Sequence, residues 1–182
     1  GVPVYGLALS EAGILWTASV PTARIDTQAL TYEHIDHTGS YGIAVDGNSD
    51  AWFGGFGTGG VHRINANGPY LNRAAYEATT GVSAYAVTVD GQGTVWAENS
   101  PELIKVDPVT MATSKYSFPN GHTVHGVAPD DAGKIWGPSW DGSGLAFRFD
   151  PINLTWDTFT VDANQSNYTY SDMTGALLRQ FV

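Results

Sequence analysis

The sequence predicts an all-β protein, a β-propeller, and three observations carry that expectation. Tryptophan recurs at positions 16, 52, 96 and 136, at intervals of 36, 44 and 40 residues. Each tryptophan closes nearly the same phrase, which reads Tyr41-Gly42-Ile43-Ala44-Val45-Asp46-Gly47 before Trp52 and Tyr85-Ala86-Val87-Thr88-Val89-Asp90-Gly91 before Trp96. No stretch shows sustained helical periodicity. Self-similarity at such a period marks a repeat architecture.

The first element of each unit alternates, with Tyr41, Ile43 and Val45 on one face and Gly42 and Ala44 on the other. A period of two that is apolar on one side and small on the other reads as a crowded strand near an axis. Turn chemistry at Asp46-Gly47 and Asp90-Gly91 leads into a second strand that carries the tryptophan. A third strand pairs a basic with an apolar residue and stops at Asp or Asn: residues 23–26, 62–65, 104–107 and 147–150. A fourth is expected at 32–35, 71–76, 113–118 and 155–161. Four antiparallel strands in about 40 residues make one propeller blade. The tryptophans belong to the core, one strand out from the axis, where the wedge between blades widens.

Four units run to about residue 163, and Tyr170-Ser171-Asp172-Met173 opens a fifth inner strand. The blades are expected at about 5–40, 41–84, 85–124 and 125–169, with a partial fifth at 170–182. The chain is therefore expected to be a portion of a larger propeller. Another chain, another copy or further blades would complete the ring, because open blade edges leave backbone groups unpaired.

Composition narrows the function. Eighteen acids against eight Lys plus Arg give a net charge of −10, which argues against nucleic acid and anionic membrane surfaces as partners. There is no cysteine, hence no disulfide or thiolate metal site. No apolar run is long enough to span a bilayer as a helix. Abundant aromatic, amide and hydroxyl side chains with only 14% charged residues fit an extracellular or cell-surface protein that contacts a glycan or peptide. The sequons at Asn153, Asn164 and Asn167 are what chance gives in so Asn- and Thr-rich a chain.

Several motifs dissolve on inspection. Gly55, Gly57 and Gly60 fit a dinucleotide fingerprint, but Val61-His62-Arg63-Ile64 follows as a strand, where the fingerprint needs a helix N-terminus. Asp46, Asn48 and Asp50 resemble the start of a calcium loop, yet Ala51 and Gly57 stand where that loop needs Gly and Glu. His34/His37 and His122/His125 are three apart, so within a strand each pair points to opposite faces and cannot share a metal. No metal site is expected.

His125 occupies the slot held by Tyr5, Tyr41 and Tyr85. Since these residues begin successive inner strands, they are expected to form an aromatic ring at one level near the axis. That ring either takes a ligand or packs the blades together. The segments after each tryptophan differ freely, as binding residues do, which singles out Glu98, Asn99, Trp140 and Asp141 for ligand contact. Glu98 could serve as a general base beside a histidine, though nothing in the sequence places one there.

The Tyr-Gly-Ile-Ala-Val-Asp-Gly phrase ahead of Trp52, with Arg24-Ile25-Asp26-type strands, resembles the repeat of the streptogramin lyase (virginiamycin B lyase) family and related NHL-type propellers over residues 5 to about 160. The resemblance implies a seven-bladed, magnesium-assisted bacterial enzyme that opens a cyclic depsipeptide by elimination. Its catalytic histidine would stand two residues after a glutamate at the end of a tryptophan strand. Glu98 matches that glutamate, but Ser100 stands where the histidine belongs, and no other tryptophan strand offers Glu-x-His. Two readings follow: a non-catalytic, secreted bacterial binding module that needs no cofactor, or a portion of a lyase-like enzyme, for which alone magnesium is relevant. An acid–base pair converging on the axis would discriminate them.

Overall fold

The computed structural model describes residues 4–37, 41–55, 59–167 and 169. It contains four four-stranded antiparallel sheets, each a simple meander in chain order. Blade 1 holds β1 (Gly6–Leu9), β2 (Ile14–Ala18), β3 (Thr22–Asp26) and β4 (Thr31–Ile35). Blade 2 holds β5 (Ile43–Val45), β6 (Ala51–Phe53), β7 (His62–Ile64) and β8 (Glu77–Thr79). Blade 3 holds β9 (Val87–Val89), β10 (Val95–Asn99), β11 (Glu102–Val106) and β12 (Thr113–Ser117). Blade 4 holds β13 (Ala128–Pro129), β14 (Ile135–Pro138), β15 (Leu145–Asp150) and β16 (Thr155–Thr160). The first strands β1, β5, β9 and β13 are neighbours in that order, as blades around an axis require. The expected fifth inner strand lies outside the described residues, as does most of the glycine loop at 56–58.

One local device recurs. The Asp90 Oδ1 atom accepts the backbone N–H groups of Gln92 and Thr94, while Oδ2 accepts the indole N–H of Trp96 at 2.8 Å. Asp46 does the same for Asn48, Asp50 and Trp52, and Asp130 for Ala132, Lys134 and Trp136. One carboxylate thus shapes the hairpin between the first two strands and aims the indole. Blade 1 has Ser10 at this place, and the Trp16 indole turns instead to the Ser49 carbonyl of blade 2 at 3.0 Å.

Each tryptophan stands in register between a small inner-strand residue and a basic third-strand residue: Ala44, Trp52 and Arg63, or Thr88, Trp96 and Lys105. The small partner leaves room near the axis. The basic side chain lies over the ring, 5.7 Å from its centroid at Arg63 and 5.8 Å at Lys105. Arg63 also donates to the Pro108 carbonyl of blade 3. Three apolar clusters fill the three wedges between blades, and Trp16, Trp52 and Trp96 are fully buried in them. Trp136 is half-buried and stacks on Phe159 at 5.1 Å.

The fourth strand of blade 2 is displaced from the expected 71–76. Arg73–Tyr76 form a short helix, α1, capped by the Asn72 side chain, and the strand begins at Glu77. Asn72 offers its Oδ1 to the Ala74 N–H, and Arg73-Ala74-Ala75 favour helix, so local capping wins over the repeat pattern.

Removing the Asp90 carboxylate leaves two amides and an indole without their acceptor, so Asp90→Ala is expected to cost about 3 kcal/mol. Ser10→Ala removes one such bond and is expected to cost about 1 kcal/mol. Urea denaturation midpoints check the contrast, and equal losses would refute the role given to the carboxylate.

Candidate functional site

Two of the blades meet at a pocket of about 400 Å3 lined by Tyr85, Glu98, Ser100, Thr123, Val124, His125, Trp140 and Asp141. Its walls come from the segments that enter β9, leave β10 and β14, and lead up to β13. Those segments sit at one end of the inner strands because each hairpin returns the chain there.

The aromatic residues expected near the axis do come together. The Tyr5 and Tyr41 rings lie 4.5 Å apart, and Tyr41 and Tyr85 meet edge-on at 6.5 Å. His125 touches Tyr41 at 5.5 Å, Tyr85 at 6.0 Å and Trp140 at 5.0 Å between ring centroids. Close approach of the blades is what permits this. Gly42 donates its N–H to the Tyr85 carbonyl, and a Cβ on Gly42 would stand 2.6 Å from that oxygen.

Glu98 and His125 form a buried pair across blades 3 and 4. His125 Nδ1 lies 3.4 Å from Glu98 Oε1, and the Glu98 side chain is fully buried. On the other side of the ring, Nε2 is 2.8 Å from the Tyr41 hydroxyl. The tautomer of the ring sets which of the two donates in that bond. The 3.4 Å contact is not a hydrogen bond, since Glu98 Oε1 has no hydrogen-bond partner, so Tyr41, His125 and Glu98 stand side by side with only the Tyr41–His125 link bonded. Neither residue's spacing announced the contact: no histidine stands two places after Glu98, and His125 comes from the next blade. Ser100, which stands two places after Glu98, fastens the two blades, accepting from the Val124 N–H at 2.7 Å and donating to the Val124 carbonyl. The Ser100 N–H caps Glu98 Oε2 at 3.1 Å.

Asp141 sits at the rim. Burial works to raise its pKa, but Ser143, His122 and the Thr123 N–H all bond to it and hold it well below the usual carboxylate range. Trp140 is half exposed and leans on His125. Asn99 does not line the pocket; it pairs with Glu102 in the β10–β11 ladder.

The two histidine pairs stay apart, each member with a different partner. His122 meets Asp141, His125 meets Glu98, and exposed His34 packs edge-on against Tyr32. His37 instead lies in the wedge between blades 1 and 2 with His62 and Glu77, whose ligand atoms fall within 4.8 Å of one another. Sequence reasoning passed over this cluster because its members come from three separate strand ends.

No protein-family model and no curated protein matches the chain. Solved structures do. Virginiamycin B lyase from Staphylococcus aureus superposes with TM-score 0.72, at 13% identity over 87% of this chain and 56% of that one. The fold is streptogramin lyase-like. The extracellular domain of a putative hybrid two-component system from B. thetaiotaomicron is similar at TM-score 0.66 and 15% identity, over 89% of this chain and 24% of that one. An auxiliary nutrient binding protein from Bacteroides ovatus is similar at TM-score 0.66 and 11% identity, over 95% and 45%. The chain spans about half the length of the lyases it matches. Several neighbours are extracellular domains, and among the described residues no helix is long and apolar enough to cross a membrane.

Ser100→Ala strips both partners from Val124 and is expected to cost about 2 kcal/mol. Asn99→Ala, outside the pocket, is expected to stay within about 0.5 kcal/mol of the parent chain. Thermal unfolding of both variants checks the placement.

Proposed function

We propose that the chain is the ligand-binding part of an extracellular propeller and that its axial pocket takes a short uncharged glycan. The observation that carries this reading is one pocket that joins a half-exposed indole, Trp140, to an ionised rim carboxylate, Asp141. An indole face packs against the apolar face of a sugar ring, and carboxylate oxygens accept its hydroxyls. The net charge of −10 disfavours anionic ligands. His125 is held by Glu98 and Tyr41, so the aromatic wall is fixed before a ligand arrives, which lowers the ordering cost of binding. The extracellular and nutrient-binding neighbours support the reading at the level of fold.

The buried proximity of His125 to Glu98, with Tyr41 bonded to Nε2, favours a second reading. A substrate that displaces the Tyr41 hydroxyl from Nε2 would face an imidazole backed by a carboxylate, which is a general base suited to proton abstraction and elimination. This is the lyase-like alternative. In that reaction the base takes a proton, the ester oxygen leaves, and the ring-opened product keeps the substrate's mass.

A glycan array followed by calorimetry separates the two. Trp140→Ala is expected to weaken binding by more than about tenfold, whereas Glu98→Gln, which acts from beneath His125, leaves a measurable affinity. Conversion of a cyclic depsipeptide to an isobaric open product, abolished by Glu98→Gln, would overturn the binding reading in favour of the enzyme.

We also propose that further blades or another copy cover the two end faces. Leu7 and Leu9 hold the register positions of Ile43 and Val45 and of Val87 and Val89, yet they are about half exposed where Ile43, Val87 and Val89 are buried. At the other end Trp136 lacks the full cover of the other three tryptophans. Native mass spectrometry of the isolated chain is expected to show multiples of the chain mass. A stable, monodisperse single chain with an intact ring would contradict it.

A further inference from the structure

We propose that His37, His62 and Glu77 form a buried site for a divalent transition metal of the zinc class, which ties blade 1 to blade 2. His37 follows the outermost strand of blade 1, while His62 and Glu77 belong to the two outer strands of blade 2. The site is thus separate from the axial pocket in both position and residues.

The donor set is two imidazoles and one carboxylate, a set that binds zinc with a position left for water. Burial is unusual for such groups: His37 is fully buried, His62 is 7% exposed and the Glu77 side chain 5%. Both ring nitrogens of His37 and Nε2 of His62 are enclosed without a hydrogen-bond partner. Nδ1 of His37 stands 3.3 Å from Glu77 Oε2 but off the hydrogen-bond direction, while His62 Nδ1 is 2.7 Å from Oε1. Buried imidazole nitrogens without partners are rare in native proteins and call for an occupant. Hydrogen bonding among the three residues accounts for Glu77 Oε1 and His62 Nδ1, but leaves Glu77 Oε2, His62 Nε2 and both nitrogens of His37 unexplained.

Geometry is close to what an ion needs. Metal–nitrogen bonds of about 2.0 Å place tetrahedral donors about 3.4 Å apart, against the 4.8 Å within which these atoms now lie. Small side-chain rotations close the gap. Arg73 is the competitor, with Nε 2.7 Å from Glu77 Oε2. Its side chain is 38% exposed, so it can leave toward solvent and the nearby exposed Asp36 when an ion arrives. The zinc ion takes over the charge that Arg73 neutralised.

The test uses the full 182-residue chain, stripped with a chelator and titrated with zinc alone and with cobalt(II) alone. One ion per chain is expected, with a nitrogen and oxygen shell carrying imidazole scattering in X-ray absorption. His37→Ala and His62→Ala are each expected to lose the ion, His34→Ala to keep it, and Arg73→Gln, which removes the competing cation, to bind it more tightly. Absence of saturable binding, or binding that survives both histidine variants, overturns the proposal. If those variants fail to fold, the 15N imidazole signals of the parent chain decide. Zinc must shift those of His37 and His62, and a shift confined to other histidines overturns the assignment.

Discussion

A single hydrogen-bonded carboxylate organises each of blades 2, 3 and 4. Asp46, Asp90 and Asp130 each hold two backbone amides of a tight turn with one oxygen and an indole with the other. Turn, second strand and tryptophan are thereby fixed as one unit. In blades 2 and 3 the indole so aimed is fully buried in the wedge toward the next blade, and the basic residue of the third strand lies over its ring. Charge-assisted bonds in so sheltered a place are stronger than neutral ones. Blade packing is therefore specified by a contact spanning only six residues of chain.

That economy explains what the sequence disclosed. The Asp-Gly turn, the tryptophan and the Arg-Ile-Asp strand are local, so their repetition made the blades and their order legible. His125 standing in a tyrosine slot was legible for the same reason. The Glu98–His125 contact was not, because it depends on how far one blade rotates relative to the next, and no spacing within a unit encodes that angle. Residues 71–76 misled because the repeat pattern has no term for a helix cap at Asn72. The period-two argument that set His34 against His37 holds inside a strand. His37 lies beyond the end of β4, where it packs against Phe53 and His62 of the neighbouring blade.

The two chemically loaded places share a logic. The axial pocket and the His37–His62–Glu77 cluster both lie where blades meet, and both combine side chains from two blades. Repetition secures folding through the apolar wedges. The seams are where side chains from two units can converge on one point.

Blade 1 carries a further consequence in its Ser10. The other three tryptophans are satisfied by an acid of their own blade, but the Trp16 indole bonds to the Ser49 carbonyl of the next. Blades 2, 3 and 4 can orient their indoles during their own formation. Blade 1 completes the bonding of its core only through the Ser49 turn of blade 2. In a repeat protein whose stability sums nearest-neighbour terms, one serine has moved a bond from the intrinsic ledger of a unit to its interface. The packing of blade 1 is thereby tied to the presence of blade 2.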